Sequence, residues 1–181
     1  MDIRILEHLD IESDLNWGRN GYTTDKILQV SSAGLHDSLQ ITLEVVEKSY
    51  QKTWTSTAAE VESLNALITQ GHSFGAYTNN TLAGRIICDY RAWNNSLYIE
   101  SILISEQQRG QGIGTALIEA AVQEARRINC RIIELETQNT NYPAIVFYEK
   151  QGFRITGLNL RLYNEPGEIA IYMTFDLADN I

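Results

Sequence analysis

Leu97-Tyr98-Ile99-Glu100-Ser101-Ile102-Leu103-Ile104 is followed at once by Gln107-Gln108-Arg109-Gly110-Gln111-Gly112-Ile113-Gly114-Thr115, and the reading of these two stretches decides the fold. The first is a short apolar run that predicts a strand. After the second, Ile113, Ala116, Leu117, Ala120, Ala121 and Ile128 recur at helical spacing, with Glu119, Gln123, Arg126 and Arg127 largely on the opposite face. A glycine turn thus joins a strand to an amphipathic helix. Three alternate glycines let backbone N–H groups converge without side-chain obstruction, and a helix N-terminus adds unpaired donors and partial positive charge. That arrangement suits a pyrophosphate, with Arg109 available for a charge-assisted contact; a plain strand-to-helix connection is the other reading of the same pattern.

Two other phosphate loops fit less well. No lysine follows these glycines, as a Walker loop requires. The dinucleotide fingerprint needs G-x-G-x-x-G, whereas the third glycine here comes one place early, although Glu134 falls about where a ribose-binding acid would sit. The preceding strands also suggest an antiparallel meander instead of a chain of βαβ units. His72–Thr78 and Leu82–Tyr90 read as a hairpin across Asn79-Asn80, and Trp93-Asn94-Asn95-Ser96 turns the chain into the strand at 97. Before them, Ser56 or Thr57 caps a helix through Ala58, Val61, Leu64, Leu67 and Ile68 that Gly71 ends.

The first third is less legible. Ile3–Leu6 is a candidate strand, and Lys26–Val30 and Leu39–Val46 form a candidate strand pair across Ser31-Ser32-Ala33-Gly34, with helix as the alternative for residues 39–50. Downstream, Arg131–Glu136 reads as a strand. Pro143 suits a helix's first position, Ala144–Lys150 continue it and Gly152 stops it; Phe153–Tyr163 and Ile169–Leu177 are expected as two closing strands. The fold class is therefore mixed α+β, with a central, mostly antiparallel mixed sheet flanked by helices.

At 181 residues, with only Pro143 and Pro166 and no linker-like or repeated stretch, one domain spanning 1–181 is expected. Fourteen basic residues against twenty-three acidic ones, a net charge of -9, disfavour nucleic acid, whose binding draws on clustered Lys and Arg. An acidic surface concentrates cations, amines included, and also serves solubility. Cys88 and Cys130 lie in or beside apolar segments and read as free core thiols, with no basic partner to activate them. They and the scattered His8, His36 and His72 show no ligand spacing, so no metal is expected and the histidines read as surface or loop residues. No leader pattern or bilayer-length apolar run is visible, which gives a cytoplasmic expectation and no membrane partner.

Two residues carry candidate chemistry. Glu100 is a carboxylate in a strand apolar on both faces, so little water is expected around it; such a group is a candidate base, or else a solvated or arginine-paired strand residue. Tyr148, on the short helix that follows Asn141 and Pro143, could protonate a leaving thiolate or simply pack in the core.

Taken together, residues 97–153 resemble the GNAT superfamily of N-acetyltransferases. Arg109-Gly110-Gln111-Gly112-Ile113-Gly114 is similar to that family's R/Q-x-x-G-x-G/A motif. Asn141-Tyr142-Pro143-Ala144-Ile145-Val146-Phe147-Tyr148, with Gly152-Phe153 after it, resembles the family's second half. The resemblance implies acetyl-CoA as co-substrate, with backbone groups of Ile102, Leu103 and Ile104 meeting the pantetheine. It implies that Arg109, Gly110, Gln111, Gly112, Ile113 and Gly114 hold the pyrophosphate with Thr115 beside them, that Asn141 contacts the cofactor, that Glu100 is the base and that Tyr148 is the general acid. A narrower likeness is to streptothricin acetyltransferases, in Trp93-Asn94, Tyr98-Ile99-Glu100, Glu136-Thr137-Gln138 with Asn141, and Leu162-Tyr163. Two positions that are acidic in that group hold Ser101 and Asn159 here.

These readings imply direct acetyl transfer to a primary amine of a small molecule, with residues 1–56 building the substrate side. The alternatives are a protein lysine or N-terminal amine as acceptor, or a non-catalytic acyl-CoA sensor. The oligomeric state stays open, a homodimer included.

Overall fold

The computed structural model describes residues 1–15, 17, 20–34 and 38–177. Along the chain these form β1 (Asp2–Ile5), α1 (Ile11–Leu15), β2 (Asn20–Ala33), β3 (Gln40–Trp54), α2 (Ala58–Ile68), β4 (Phe74–Thr78) and β5 (Thr81–Arg91). β6 (Ser96–Ile104), α3 (Ile113–Arg127), β7 (Ile132–Gln138), α4 (Tyr142–Lys150), β8 (Arg154–Asn159) and β9 (Ala170–Asp176) complete them. A seven-stranded sheet has the order β1-β4-β5-β6-β7-β9-β8, and β2 and β3 pair separately. β1 pairs with β4, β4 with β5 and β5 with β6 in antiparallel fashion, while Ser96–Ile99 of β6 pair with Ile132–Leu135 of β7 in parallel. The expected mixed, mostly antiparallel sheet with flanking helices is what forms.

The chain divides into two compact units, residues 1–20, 54–135 and from 174 onward in one, and 21–53 with 136–173 in the other. In the first unit, α2 and α3 lie against opposite faces of β5, because successive strand residues point to opposite sides. Ile87 joins Leu6, Leu9, Val61 and Ile68 in the cluster beneath α2. On the other face a Cβ at Gly84 would stand 2.7 Å from Ile113 Cγ2 and 3.3 Å from Leu117 Cδ1, so this glycine lets the first turns of α3 press onto the strand. Each fully buried Leu or Ile contributes about 1.5–3 kcal/mol. The expected cap of α2 is Thr57: its hydroxyl accepts from Glu60 N at 3.2 Å, while Glu60 Oε2 accepts from Thr57 N at 2.7 Å, a complete capping box.

In the second unit Asn139 is the main fastening. Its backbone N–H donates to Ile169 O at 2.9 Å and its carbonyl accepts from Leu28 N at 3.0 Å; its side chain repeats both pairings, Nδ2 to Leu28 O at 2.9 Å and Oδ1 from Ile169 N at 2.8 Å. The amide side chain acts as a second peptide group and links β2 to the chain entering β9.

Several expectations need correction. β2 and β3 extend well beyond Lys26–Val30 and Leu39–Val46, and the helical alternative for 39–50 is not taken: Ile41, Thr42, Val45 and Val46 are β-branched and pair across the ribbon. Their ends were hidden because much of β3 is exposed on both faces and shows no alternation. The strand expected to Tyr163 ends at Asn159, whose side chain accepts from Arg161 N at 3.0 Å and starts a turn. α1 was not anticipated.

His72 stands in the loop before β4, one of the two places expected of it, but it is largely withdrawn from the surface. Its Nδ1 lies 2.6 Å from Glu124 Oε1, and Arg127 donates to both oxygens of the same buried carboxylate at 2.7 and 2.6 Å. The Arg127 guanidinium, and after it the His72 ring, hold the Glu124 carboxyl below its usual range against the opposing effect of burial. A carboxyl depressed on folding stabilises above its unfolded pKa of about 4.3, and that contribution is lost as pH falls through the lower folded value. Glu124→Gln is expected to cost about 1–3 kcal/mol at pH 7, the scale of an unsatisfied buried partner. The deficit should begin to shrink as pH falls below about 4.3 and close only once pH is under the lowered folded value; an equal deficit in thermal melts at pH 7 and in strong acid would show that the charge of Glu124 has no part in stability.

Candidate active site

Behind β6, Ser105 N donates to Ala83 O at 2.9 Å and the chain makes one 3-10 turn over Glu106–Gln108 before the glycines. Gly110 and Gly112 have φ of 76° and 81°, and Gly112 is the N-cap of α3. These left-handed conformations favour glycine. A Cβ at either position would meet no protein atom within 4 Å, so both glycines border open space. Arg109 is exposed, and its Nε donates to Ile104 O at 3.3 Å; Gln111 Nε2 donates to Gln107 O at 3.4 Å. Ile113 is buried and Gly114 and Thr115 half-buried, leaving their backbone N–H groups in the first turn of a four-turn helix. A pyrophosphate fits this set: backbone groups at the positive end of a helix, beside glycines that border open space.

Glu100 departs from its expected burial. Ile87 pairs with Ser101 and Cys88 with Ile99, so Glu100 is the extra residue of a β-bulge. Leu97 and Ile99 therefore share a face with Ile102 and Ile104, while Ser101 and Leu103 turn toward α2. The bulge breaks the alternation on which the buried reading of Glu100 rested, and the carboxylate is exposed. It lines an open cavity of about 400 Å³ whose wall includes Ile102 and Leu103 of the same strand, Trp54 and Ser56 before α2, and Leu64 on α2. Arg85, only 2% exposed, also lines it, and its Nη1 donates to Ser101 Oγ at 3.2 Å. Trp54 and Arg85 were not singled out from sequence; the one cation within Leu82-Ala83-Gly84-Arg85-Ile86-Ile87-Cys88 was the available clue.

Asn141 and Tyr148 belong to the second unit. Asn141 caps α4, its side chain accepting from Ala144 N at 3.4 Å; Tyr142 takes the first helical position and Pro143 the second, one place later than expected. Tyr148 is 7% exposed, its ring 5.3 Å from Phe147 and 5.7 Å from Phe153 between centroids. Nearby in that unit, the nearly buried Glu168 receives Lys52 Nζ at 2.6 and 2.7 Å and Tyr50 Oη at 2.7 Å; Tyr163 donates to Glu136, and Tyr22 Oη lies 2.7 Å from Thr140 Oγ1. Burial pushes the Tyr22 phenol up to about 12, and donation to Glu168 pushes Tyr50 up to about 12. Both phenols stay protonated at neutral pH. A second open cavity of about 700 Å³ has Thr24, Asp25, Ser49, Tyr50, Gln51 and Tyr142 in its wall.

Cys88 and Cys130 are free and buried, and burial, then the Glu124 carboxylate, raises both thiols. Neither is suited to carry an acyl group as a thiolate. His8 is exposed, and His36 lies outside the described residues. Among the described residues no cluster of His, Cys, Asp or Glu could hold a metal, and no helix is long and apolar enough to cross a membrane.

The family model described as "Acetyltransferase (GNAT) family" matches residues 39–153. The streptothricin acetyltransferase of Streptomyces lavendulae is 41% identical over 96 residues, 51% of this chain and 51% of that protein. The match thus spans about half the length of that curated relative. Solved structures extend the likeness: a nourseothricin acetyltransferase superposes with TM-score 0.74 at 27% identity, covering 98% of both chains. A Bacillus anthracis str. Ames protein assigned as a streptothricin acetyltransferase, solved with acetyl coenzyme A, superposes with TM-score 0.72 at 31% identity over 96% of this chain and 98% of that one. With the glycine turn at the head of α3, the bulged strand beside it and this coverage, the chain belongs to the GNAT family of acetyltransferases.

Proposed function

We propose that this enzyme acetylates a primary amine of a small molecule by direct attack in a ternary complex, with Glu100 as general base and Tyr148 as general acid. The observation that carries this reading is the bulge at Glu100, which turns a carboxylate into a cavity walled by Ile102 and Leu103. Bulges beside active sites commonly re-aim a side chain in this way. The names of the relatives support a small-molecule acceptor.

Bound acetyl-CoA supplies the thioester carbon as electrophile and the thiol as leaving group. The α3 N-terminus and the 109–114 turn would hold its pyrophosphate, Ile102–Ile104 would line its pantetheine arm through backbone groups, and Asn141 would contact it from α4. Glu100 takes the proton that the amine nitrogen loses as the new C–N bond forms. Tyr148 would give its phenolic proton to the sulfur as the C–S bond breaks; the proton held by Glu100 then passes to solvent and solvent returns one to the Tyr148 phenolate, which restores both groups. The products balance as an N-acetylamine and free coenzyme A. The buried cysteines make a covalent acetyl-enzyme step through either thiol unnecessary and unfavourable.

Gly112→Val would force a β-branched residue into a left-handed turn and fill the open space that this glycine borders. Its acetyl-CoA dissociation constant is expected to rise by at least about tenfold, one lost charge-assisted contact or more, with far-UV circular dichroism confirming the fold. An unchanged constant in a folded variant would remove the phosphate role from this turn. Glu100→Gln should lower kcat/KM by about 10²–10⁴-fold at neutral pH with acetyl-CoA affinity nearly unchanged. The deficit should shrink toward pH ~9, where more of an ordinary alkylamine is already deprotonated. Wild-type rates across the pH range would make Glu100 structural, and a loss confined to acceptor KM would make it a cation-binding group.

A further inference from the structure

The cavity at Glu100 combines one unpaired carboxylate with a broad apolar wall. Its α2 side is made of Ala59, Glu60, Ser63 and Leu64, two pairs four residues apart on one face of the helix. The polar groups on that face are already engaged: Glu60 Oε2 accepts from both the N–H and the hydroxyl of Thr57, at 2.7 and 3.1 Å, and Ser63 Oγ donates to Ala59 O at 2.9 Å. On the strand side Arg85 is buried and bonded to Ser101 among other partners, so it belongs to the structure of the wall. Among the described residues the Glu100 side chain has neither a hydrogen bond nor an ion pair. Trp54 is 45% exposed in the same wall, and Leu64, Ile102 and Leu103 are half-buried there. An indole left this open forfeits much of the burial that so large a ring can give.

We propose that Trp54 selects the acceptor: it receives the hydrocarbon arm of a primary alkylamine whose nitrogen lies at Glu100. The proposal rests on acetyl transfer at Glu100. The amine group meets the one carboxylate that is not already bonded, and the arm behind it lies on the indole with Leu64, Ile102 and Leu103. An arm carrying hydroxyl groups gains less, because Glu60 and Ser63 direct their hydrogen bonds into α2 itself. Apolar arms are favoured because contact removes both the arm and the indole from water. Trp54 touches the arm and not the reacting atoms, so its effect falls on acceptor binding and not on the chemical step.

The experiment compares methylamine, n-butylamine and n-hexylamine, amines of nearly equal basicity, by thiol release from acetyl-CoA at fixed pH. Wild-type kcat/KM is expected to rise about twofold per added methylene, the effect of removing roughly half of each from water. Trp54→Ala should cut the hexylamine-to-methylamine ratio by about tenfold, with the loss in hexylamine KM and not in kcat. Trp54→Phe, which keeps an aromatic face, should retain most of the wild-type ratio. The wild-type series needs no substitution, so a flat series overturns the proposal even if Trp54→Ala does not fold. An unchanged ratio in folded Trp54→Ala, or a loss confined to kcat, overturns it as well, and these results leave acetyl transfer at Glu100 standing. Absence of thiol release with every amine, while calorimetry still detects acetyl-CoA binding, would remove the transferase reading at Glu100 and this proposal with it.

Discussion

One extra residue in β6 governs much of what the first unit can do. A strand paired without interruption from Ser96 to Ile104 would carry Glu100 on the face of Ile102 and Ile104. The bulge lets Leu97 and Ile99 keep that face for the core while Ser101 and Leu103 turn toward α2. The sheet thus retains an apolar layer on both sides of the bulge, and the residue left over is a carboxylate open to a cavity. The cost of an unpaired position falls on a residue whose polar side chain is solvated.

The glycine turn depends on the same strand. Ser105 is tied to Ala83, which fixes where β6 ends, and Gly84 beside it leaves the room into which Ile113 and Leu117 settle. The N-terminus of α3 is therefore placed by packing on β5, and the left-handed glycines need only turn the chain into it. An anion at that point would draw on backbone donors and the helix end, so a net charge of -9 is no obstacle to the proposed polyanionic co-substrate.

Polar groups removed from water in both units are engaged. Among the described residues no buried side-chain nitrogen or oxygen lacks a hydrogen-bond partner. Asn139, Glu124 and Glu168 each gather partners from more than one segment, so they specify which segments meet as well as holding them. A half-satisfied site of this kind would cost more than an apolar replacement, which makes such residues poor candidates for tolerant substitution.

The sequence by itself determined the elements with strong local signals. α2 with its cap at Ser56 or Thr57, the Asn79-Asn80 hairpin, the glycine turn into α3, and Asn141 with Pro143 at the head of α4 are set by turn chemistry and by apolar residues at helical or alternating period. Those are local properties, and the turn's suitability for a pyrophosphate is legible for the same reason. Tertiary structure alone decided the extent of β2 and β3, whose exposed residues follow no period, and the exposure of Glu100, which depends on a pairing offset with β5 that no spacing within β6 records. The partnership of Arg85 with Ser101 and that of His72 with Glu124 were likewise outside its reach. A side chain's environment is set by the strand or helix placed opposite it, and that neighbour comes from a distant part of the chain.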